Sequence, residues 1–327
     1  MLESRPLKAF AGLTLILLSY FSLKIGHVEI DFFPAFFDGL SQNKTADTII
    51  LWELRLPRTL MCLIVGSGLG LAGAALQGYL RNPLAEPSVV GISSAAALGA
   101  VCSIGIGVSA YGIIYTPIFA LVFSMAACWT LIHLTQNTDS KHSVILIGVG
   151  ISALAGSLTT LILSLSDNPF AVNEIVFWML GSVTDVSYLH VLISGPLVLL
   201  GAFFLFKSSS DLNLLSLGQE TASSIGVDLK RLRLDILLGT ALIVGGITSV
   251  TGIVGFVGLI TPHMVRPFVN HEPKRTLMWS PAIAAILILI SDIAIRIIPT
   301  TGEIKLGVLT SLLGTPFFLY LISQKRY

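Results

Sequence analysis

Charge is what this 327-residue chain has least of: Asp, Glu, Lys and Arg together make up 11%, where a soluble domain carries about 25%. So few charges cannot dress a globular surface in water, which excludes a soluble enzyme or binding module. With 54% hydrophobic residues and a mean hydropathy of +0.87, the chain reads as a polytopic membrane protein. A net charge of +1 gives no basic surplus for nucleic acid. Cysteine is scarce as well. Cys62, Cys102 and Cys128 all lie in apolar runs without paired spacing or a neighbouring His, so they read as small buried hydrophobes rather than a disulfide or metal set. The phosphate-binding pattern G-x-x-x-x-G-K-[ST] is absent, so the chain does not hydrolyse ATP, and its energy must come from a partner or an ion gradient. GISS (91–94) and GISA (150–153) each place Ser after Gly-x, but neither has a closing Gly. His190 and His263 fall at span ends rather than beside a serine as base, so an intramembrane serine protease is a poor fit.

Long apolar runs are what the chain has in quantity. At the roughly 20 residues a helix needs to cross a bilayer, spans are expected near 9–27, 56–80, 88–107, 115–134, 143–166, 190–206, 234–256, 257–268 (short), 278–298 and 306–322. The fold class expected is therefore an all-α polytopic membrane protein of about ten transmembrane helices, in one permease domain over 1–327. Lys24 and His27 stand where a signal peptide would have small residues, so the run at 9–23 is expected to stay as a first span. With both termini inside, Arg5, Lys8, Arg81, Lys141, Lys207, Lys230, Arg231, Arg233, Arg266, Lys274, Arg275, Lys325 and Arg326 face the cytoplasm. Lys24, Lys44, Arg55, Arg58, Arg296 and Lys305 are left outside, and thirteen against six favours this orientation. Residues 28–54 become a partly helical outer loop at the interface and 167–189 a second outer element, whose Phe170, Val176, Phe177 and Trp178 suit an aromatic belt.

The stretch at 66–93, GSGLGLAGAALQGYLRNPLAEPSVVGIS, organises the rest. Gly66, Gly70 and Gly73 recur at helical spacing and let backbones approach closely. Asn82, Pro83 and Pro87 then break the helix, so the chain leaves the membrane or turns back within it. A shift of 179 residues lays Gly73 on Gly252 and Pro83 on Pro262. Five spans separate such copies, so they would be inverted, with halves at about 56–166 and 234–322.

Two polar groupings remain. Arg55 and Arg58, at i and i+3 around Pro57, and Arg296, with Asp292 four residues before it, lie at span ends. Residue type alone suits snorkelling anchors there, and Asp292 could pair with Arg296 locally. The segment DLNLLSLGQETASSIGVDLKRLR, within the loop 207–233, reads as two short helices. Asp211 is expected to cap the first and Gly218 to end it in a left-handed turn, with Glu220 in the first turn of the second and Gly226 at its end. Leu214, Leu217 and Ile225 either pack back on the spans or form a docking knob.

The string at 66–93, together with LGQETASSIGV, WELRLPRTL, GFVGLITPHMVR, VFWMLGS and LGVLTSLLGTPFF, resembles the FecCD-type permeases, and the likeness runs through nearly all of the chain from Trp52 onward. These are the membrane subunits of binding-protein-dependent ABC importers for iron chelates, haem and cobalamin. The resemblance implies the type II importer permease fold with its inverted repeat, in the inner membrane. Arg55, Arg58 and Arg296 would dock acidic residues of a periplasmic or lipid-anchored binding protein. Leu214, Leu217, Gly218, Gln219, Glu220, Ala222, Ile225 and Gly226 would form the coupling helices. Implied partners are a second permease, most simply an identical copy, and two ABC ATPases. No cofactor is expected on this chain, since ATP and Mg belong to the ATPases. Lys305 and Ser143 depart from the family pattern, the latter near the expected inner gate. Spans three to six carry almost no ionisable groups, unlike the relays of an ion-coupled transporter, which is the rival reading.

Overall fold

The computed structural model describes residues 5–41, 43, 45–136, 141–299 and 302–324. Lys44, Lys325 and Arg326 of the charge count lie outside the described residues. Among those described, regular structure is helical, with no strand.

A first helix, α1 (Arg5–Lys24), leads to the amphipathic α2 (Phe32–Leu40) and the single turn α3 (Ala46–Ile49). From α3 the helix runs on through a π-helical turn, Ile50–Arg55, into α4 (Leu56–Leu80). The expected bounds 56–80 coincide with α4, and the helix continues upstream of them to Ala46. Pro57 still occupies the first turn of the regular α segment. The wider turn before it accommodates the missing N–H and the ring, which a continuous α-helix would not.

After α4 the chain turns through 81–91 and continues as α5 (Ile92–Gly105), α6 (Tyr115–Thr135), α7 (Lys141–Ser164), α8 (Pro169–Met179) and α9 (Tyr188–Lys207). The polar loop folds into α10 (Ser209–Leu215) and α11 (Gln219–Ser224), then α12 (Leu229–Thr251), α13 (Val257–Val265), α14 (Pro273–Ile297) and α15 (Leu306–Gln324) complete the chain. Each expected span thus holds a helix. Among the described residues, six helices are long and apolar enough to cross a bilayer: 46–80, 115–135, 142–164, 188–207, 229–251 and 273–297. Three shorter apolar ones lie at 9–24, 92–105 and 306–320, while α13 has only 9 residues.

Burial divides these helices into centre and periphery. The apolar stretches of α4 and α12 are 78% and 83% buried, that of α7 only 17%. The core therefore forms around α4 and α12, and α7 presents its side chains outward. Close backbone approach makes that centre possible. A Cβ at Gly66 would meet Ala285 Cα at 2.5 Å, and one at Gly70 would meet Ser280 O at 2.6 Å, so these glycines seat α4 on α14. A Cβ at Gly73 would meet Gly258 O at 2.0 Å, which seats α4 on α13. Without a hydrophobic driving force between helices in lipid, such contacts supply the van der Waals attraction.

The markers of the 179-residue shift occupy unlike places. Gly73 is inside α4, whereas Gly252 ends α12 at φ +71, its missing Cβ leaving room for Trp178 O. Pro83 lies in a turn and Pro262 inside α13.

Candidate functional site

Three features line up along α4. At its N-terminal end the arginines meet. Arg55 Nη1 donates to Leu23 O at 3.0 Å and Lys24 O at 2.5 Å, and Nη2 donates to Val28 O. Arg296 Nη1 donates to Ser22 O at 2.6 Å and Ile25 O at 3.2 Å, and its Nη2 to Ser22 Oγ and to Asp292. Both guanidiniums thus cover the C-terminal carbonyls of α1, groups no intrahelical N–H can reach. Arg58 Nε and Nη2 each lie 2.8 Å from Asp292 Oδ1, and Nη1 lies 3.4 Å from Glu303.

Exposed arginines were expected at all three positions, and here the structure differs. Arg55 and Arg296 are buried at 6% and 7% exposure, with their donors turned inward, so an incoming carboxylate could meet them only by breaking bonds to α1. The Arg58 side chain keeps 12% exposure. Asp292, wholly buried and held between Arg58 and Arg296, is the residue that sequence reasoning undervalued. Its one readable signal was a lone carboxylate within an apolar run. The local pair with Arg296 is present, but the bond to Arg58 crosses from α4 to α14.

Midway lies a groove of about 860 Å³. One side comes from Glu86 and Ser88 of the 81–91 turn, another from the non-helical Ile253–Phe256 segment, and a third from α15 through Gly307, Ser311 and Thr315. Asn82 Oδ1 accepts from Leu84 N at 2.9 Å and tightens the turn, Pro83 O lies 2.9 Å from His263 Nε2, and buried Pro87 packs near Gly258. Glu86 Oε1 accepts from Phe256 N at 2.8 Å, tying the turn to the segment before α13. Phe256 is left-handed at φ +65, a conformation a bulky residue holds only when its surroundings enforce it. Burial raises the Glu86 carboxyl above the ordinary carboxylate range, against the lowering effect of the Phe256 N–H. The remaining lining is largely apolar, so the groove offers a path with few fixed charges.

At the C-terminal end of α4 sits the loop of short helices. Leu212 of α10 approaches Gly78, about 30 Å from Arg58 at 1.5 Å per helical residue. The helix α10 begins at Ser209, so Asp211 lies within its first turn and makes no cap. This corrects the expected N-cap, because the helix starts two residues earlier. Gly218, at φ +117 and ψ 154, takes a positive-φ conformation that favours glycine, and it caps the start of α11 rather than closing α10 with an αL turn. Gln219 and Glu220 begin α11, and Gly226 follows it at φ +98. The open question about the apolar residues divides. Leu214 packs against the core and Ala222 is fully buried, while Leu217 and Ile225 stand 64% and 54% exposed. Asp228, accepting from Lys230 N and Arg231 N at 3.0 Å, caps α12 and restarts the long helices.

Bilayer-length helices beside a mostly apolar groove, with clusters of polar side chains at the two ends of α4, make this a multi-pass membrane permease. More narrowly, the chain belongs to the FecCD transport family, whose model matches residues 14–324. It is 30% identical to the hemin transport system permease HmuU of Yersinia pestis over 99% of this chain and 97% of that one. To the molybdate import system permease MolB of Haemophilus influenzae it is 33% identical, again over 99% and 97%. Among solved structures it resembles an inward-facing metal-chelate type ABC transporter, with TM-score 0.86 and 30% identity over 96% of this chain and 98% of that one.

Proposed function

We propose that this chain is the permease subunit of a binding-protein-dependent ABC importer that moves an iron complex, a ferric siderophore or haem, across the cytoplasmic membrane by alternating access. The carrying observation is the loop at 207–233, which leaves Leu217 and Ile225 exposed at the end of α4 remote from the arginines. Uncovered leucine and isoleucine on short helices suit a cleft in a partner. In this reading two ABC ATPases grip residues 212–226, bind ATP and Mg themselves, and their closure drives the loop. The permease itself is non-catalytic.

Ten spans with both termini inside place the arginine end outward. The pairing of α4 with α13 and α14, answered by that of α12 with α5 and α6, supports an inverted repeat about the two central helices. Two copies of the chain, or one with a close paralogue, bring two grooves together as the path, and the outward side chains of α7 suit that contact. A periplasmic or lipid-anchored binding protein docks at the outer end. Arg58 meets its acidic residues, and Arg55 and Arg296 hold that surface from beneath.

The haem-system relative favours an iron complex, and cobalamin fits the same machine. The molybdate-system relative adds an oxyanion to the cargoes worth testing. Uptake of labelled ferric siderophores, haem, cobalamin and molybdate, measured with and without the gene, decides among them. Loss of ferric siderophore or haem uptake on deletion supports the proposal. Loss of cobalamin or molybdate uptake alone overturns the cargo, and no loss with any of them reopens an ion-coupled mechanism.

A further inference from the structure

A second cavity, of about 280 Å³, lies at the loop end of α4, and Gln77, Arg81, Ser216, Arg266, His271 and Thr276 contribute to its walls. These supply two guanidiniums, an imidazole, two hydroxyls and an amide. No carboxylate among the described residues lines it. Gln77 Nε2 donates to Gly258 O and Leu259 O at 3.3 and 3.2 Å, which fixes the amide, and its Oε1 accepts from Arg266 Nη2 at 2.7 Å. The half-buried Arg266 thus faces a neutral amide, and Arg81 has no ion-pair partner among the described residues. Arg81 is exposed and Arg266 half-buried, so the cavity presents a positive field with no carboxylate on its walls, which attracts an incoming anion.

The position of the cavity indicates where that anion comes from. Ser216 lies on its wall, and the next residue is the exposed Leu217, so a partner covering Leu217 also covers the mouth, where Arg81 and His271 are exposed. The volume falls below the roughly 300–1,000 Å³ of small-molecule sites and suits one inserted side chain. We propose that this cavity receives an acidic side chain of the ATPase subunit, clasped by Arg81 and Arg266 beside the apolar knob. The proposal rests on the reading of 207–233 as the ATPase dock. An arginine fork grips a carboxylate with two parallel bonds, so the contact fixes the register of the docked subunit as well as its affinity.

The test uses the chain assembled with its ATPase in detergent, with affinity measured at low and high salt. Arg81→Gln is expected to weaken the complex roughly tenfold or more and to flatten its salt dependence. Arg81→Lys keeps the charge and restores that dependence. His271→Asn, which tolerates the left-handed backbone at φ +59, weakens the complex less. Leu217→Asp weakens it equally at both salt levels. An Arg81→Gln complex with wild-type affinity and salt dependence overturns the proposal and leaves the ATPase dock standing. If the wild-type chain forms no complex, the dock fails and the proposal with it. Inorganic phosphate is the control probe. If it raises the melting temperature of the ATPase-free chain only when Arg81 is present, and Arg81→Gln leaves the complex unchanged, the cavity is a free-anion site and the proposal is overturned.

Discussion

Replacing Gly73 by alanine adds one methyl group at one of the tightest contacts in the molecule. The new Cβ would stand 2.0 Å from Gly258 O and 2.5 Å from Gly258 Cα, where ordinary contact begins at 3.4 Å. Both neighbours are backbone, so no side chain can swing aside, and α4 and α13 must part by roughly 1 Å or more, which a close-packed interior does not absorb freely. Overpacking of this kind costs about 1–3 kcal/mol. Parting also stretches the bonds from Gln77 Nε2 to Gly258 O and Leu259 O, and a buried amide left unsatisfied costs about 1–3 kcal/mol more. A net loss of about 2–6 kcal/mol follows from the two terms. Gly78→Ala is the control on the same helix. Its nearest neighbour would be Leu212 Cδ2 at 3.7 Å, so only the helix propensity of alanine acts, a gain of up to about 1 kcal/mol. Unfolding by a denaturing detergent in mixed micelles should place the Gly73→Ala midpoint well below wild type and the Gly78→Ala midpoint at or above it. Coincident midpoints for the two variants would refute the close packing of α4 on α13.

Asp292→Ala strands Arg296 and Arg58, whose side chains are 4% and 12% exposed. Breaking a buried pair this way costs about 3–5 kcal/mol, and a loss under about 1 kcal/mol in the same unfolding assay would show that the pair is no anchor. Leu217→Asp should abolish co-purification of the ATPase with the unfolding midpoint unchanged, since the side chain is 64% exposed; retained co-purification with normal transport contradicts the dock. Arg58→Gln should weaken association of the binding protein several-fold at low salt, chiefly through slower encounter. Equal association rates would remove Arg58 from the docking surface.

Helix positions were legible because the bilayer demands long apolar runs, and the runs at 115–134 and 306–322 became α6 and α15 with ends shifted by two residues or fewer. The glycine spacing at 66, 70 and 73 was legible for a similar reason, since small residues in an apolar helix have little use other than close approach. The start of α4 was less readable. Pro57 marks a boundary in a regular α-helix, and only the preceding π-helical turn lets the helix pass it. Cap positions in the polar loop slipped because α10 begins two residues before Asp211, at Ser209, and serine and aspartate serve equally well near a helix start.

Arginine burial is the part that sequence could not reveal, and it separates the two ends of the molecule. Whether Arg55 meets solvent depends on where the C-terminus of α1 arrives, a tertiary matter with no local signal. Once α1 is there, its free carbonyls take up Arg55 and Arg296, and Asp292 balances Arg58 and Arg296. Arg58 and Arg296 share the Asp292 carboxylate, and Arg55 is held by backbone carbonyls, so a partner can come and go without exposing the buried Asp292. At the other end Lys207 pairs with Asp235 at 2.9 Å, but among the described residues no carboxylate lines the cavity that Arg81 and Arg266 share. An end whose arginines are mostly anchored by internal partners, with Arg58 still partly exposed, suits a visiting binding protein. An end that still lacks its anion suits a subunit that stays attached, and the Arg81→Gln salt series measures that difference.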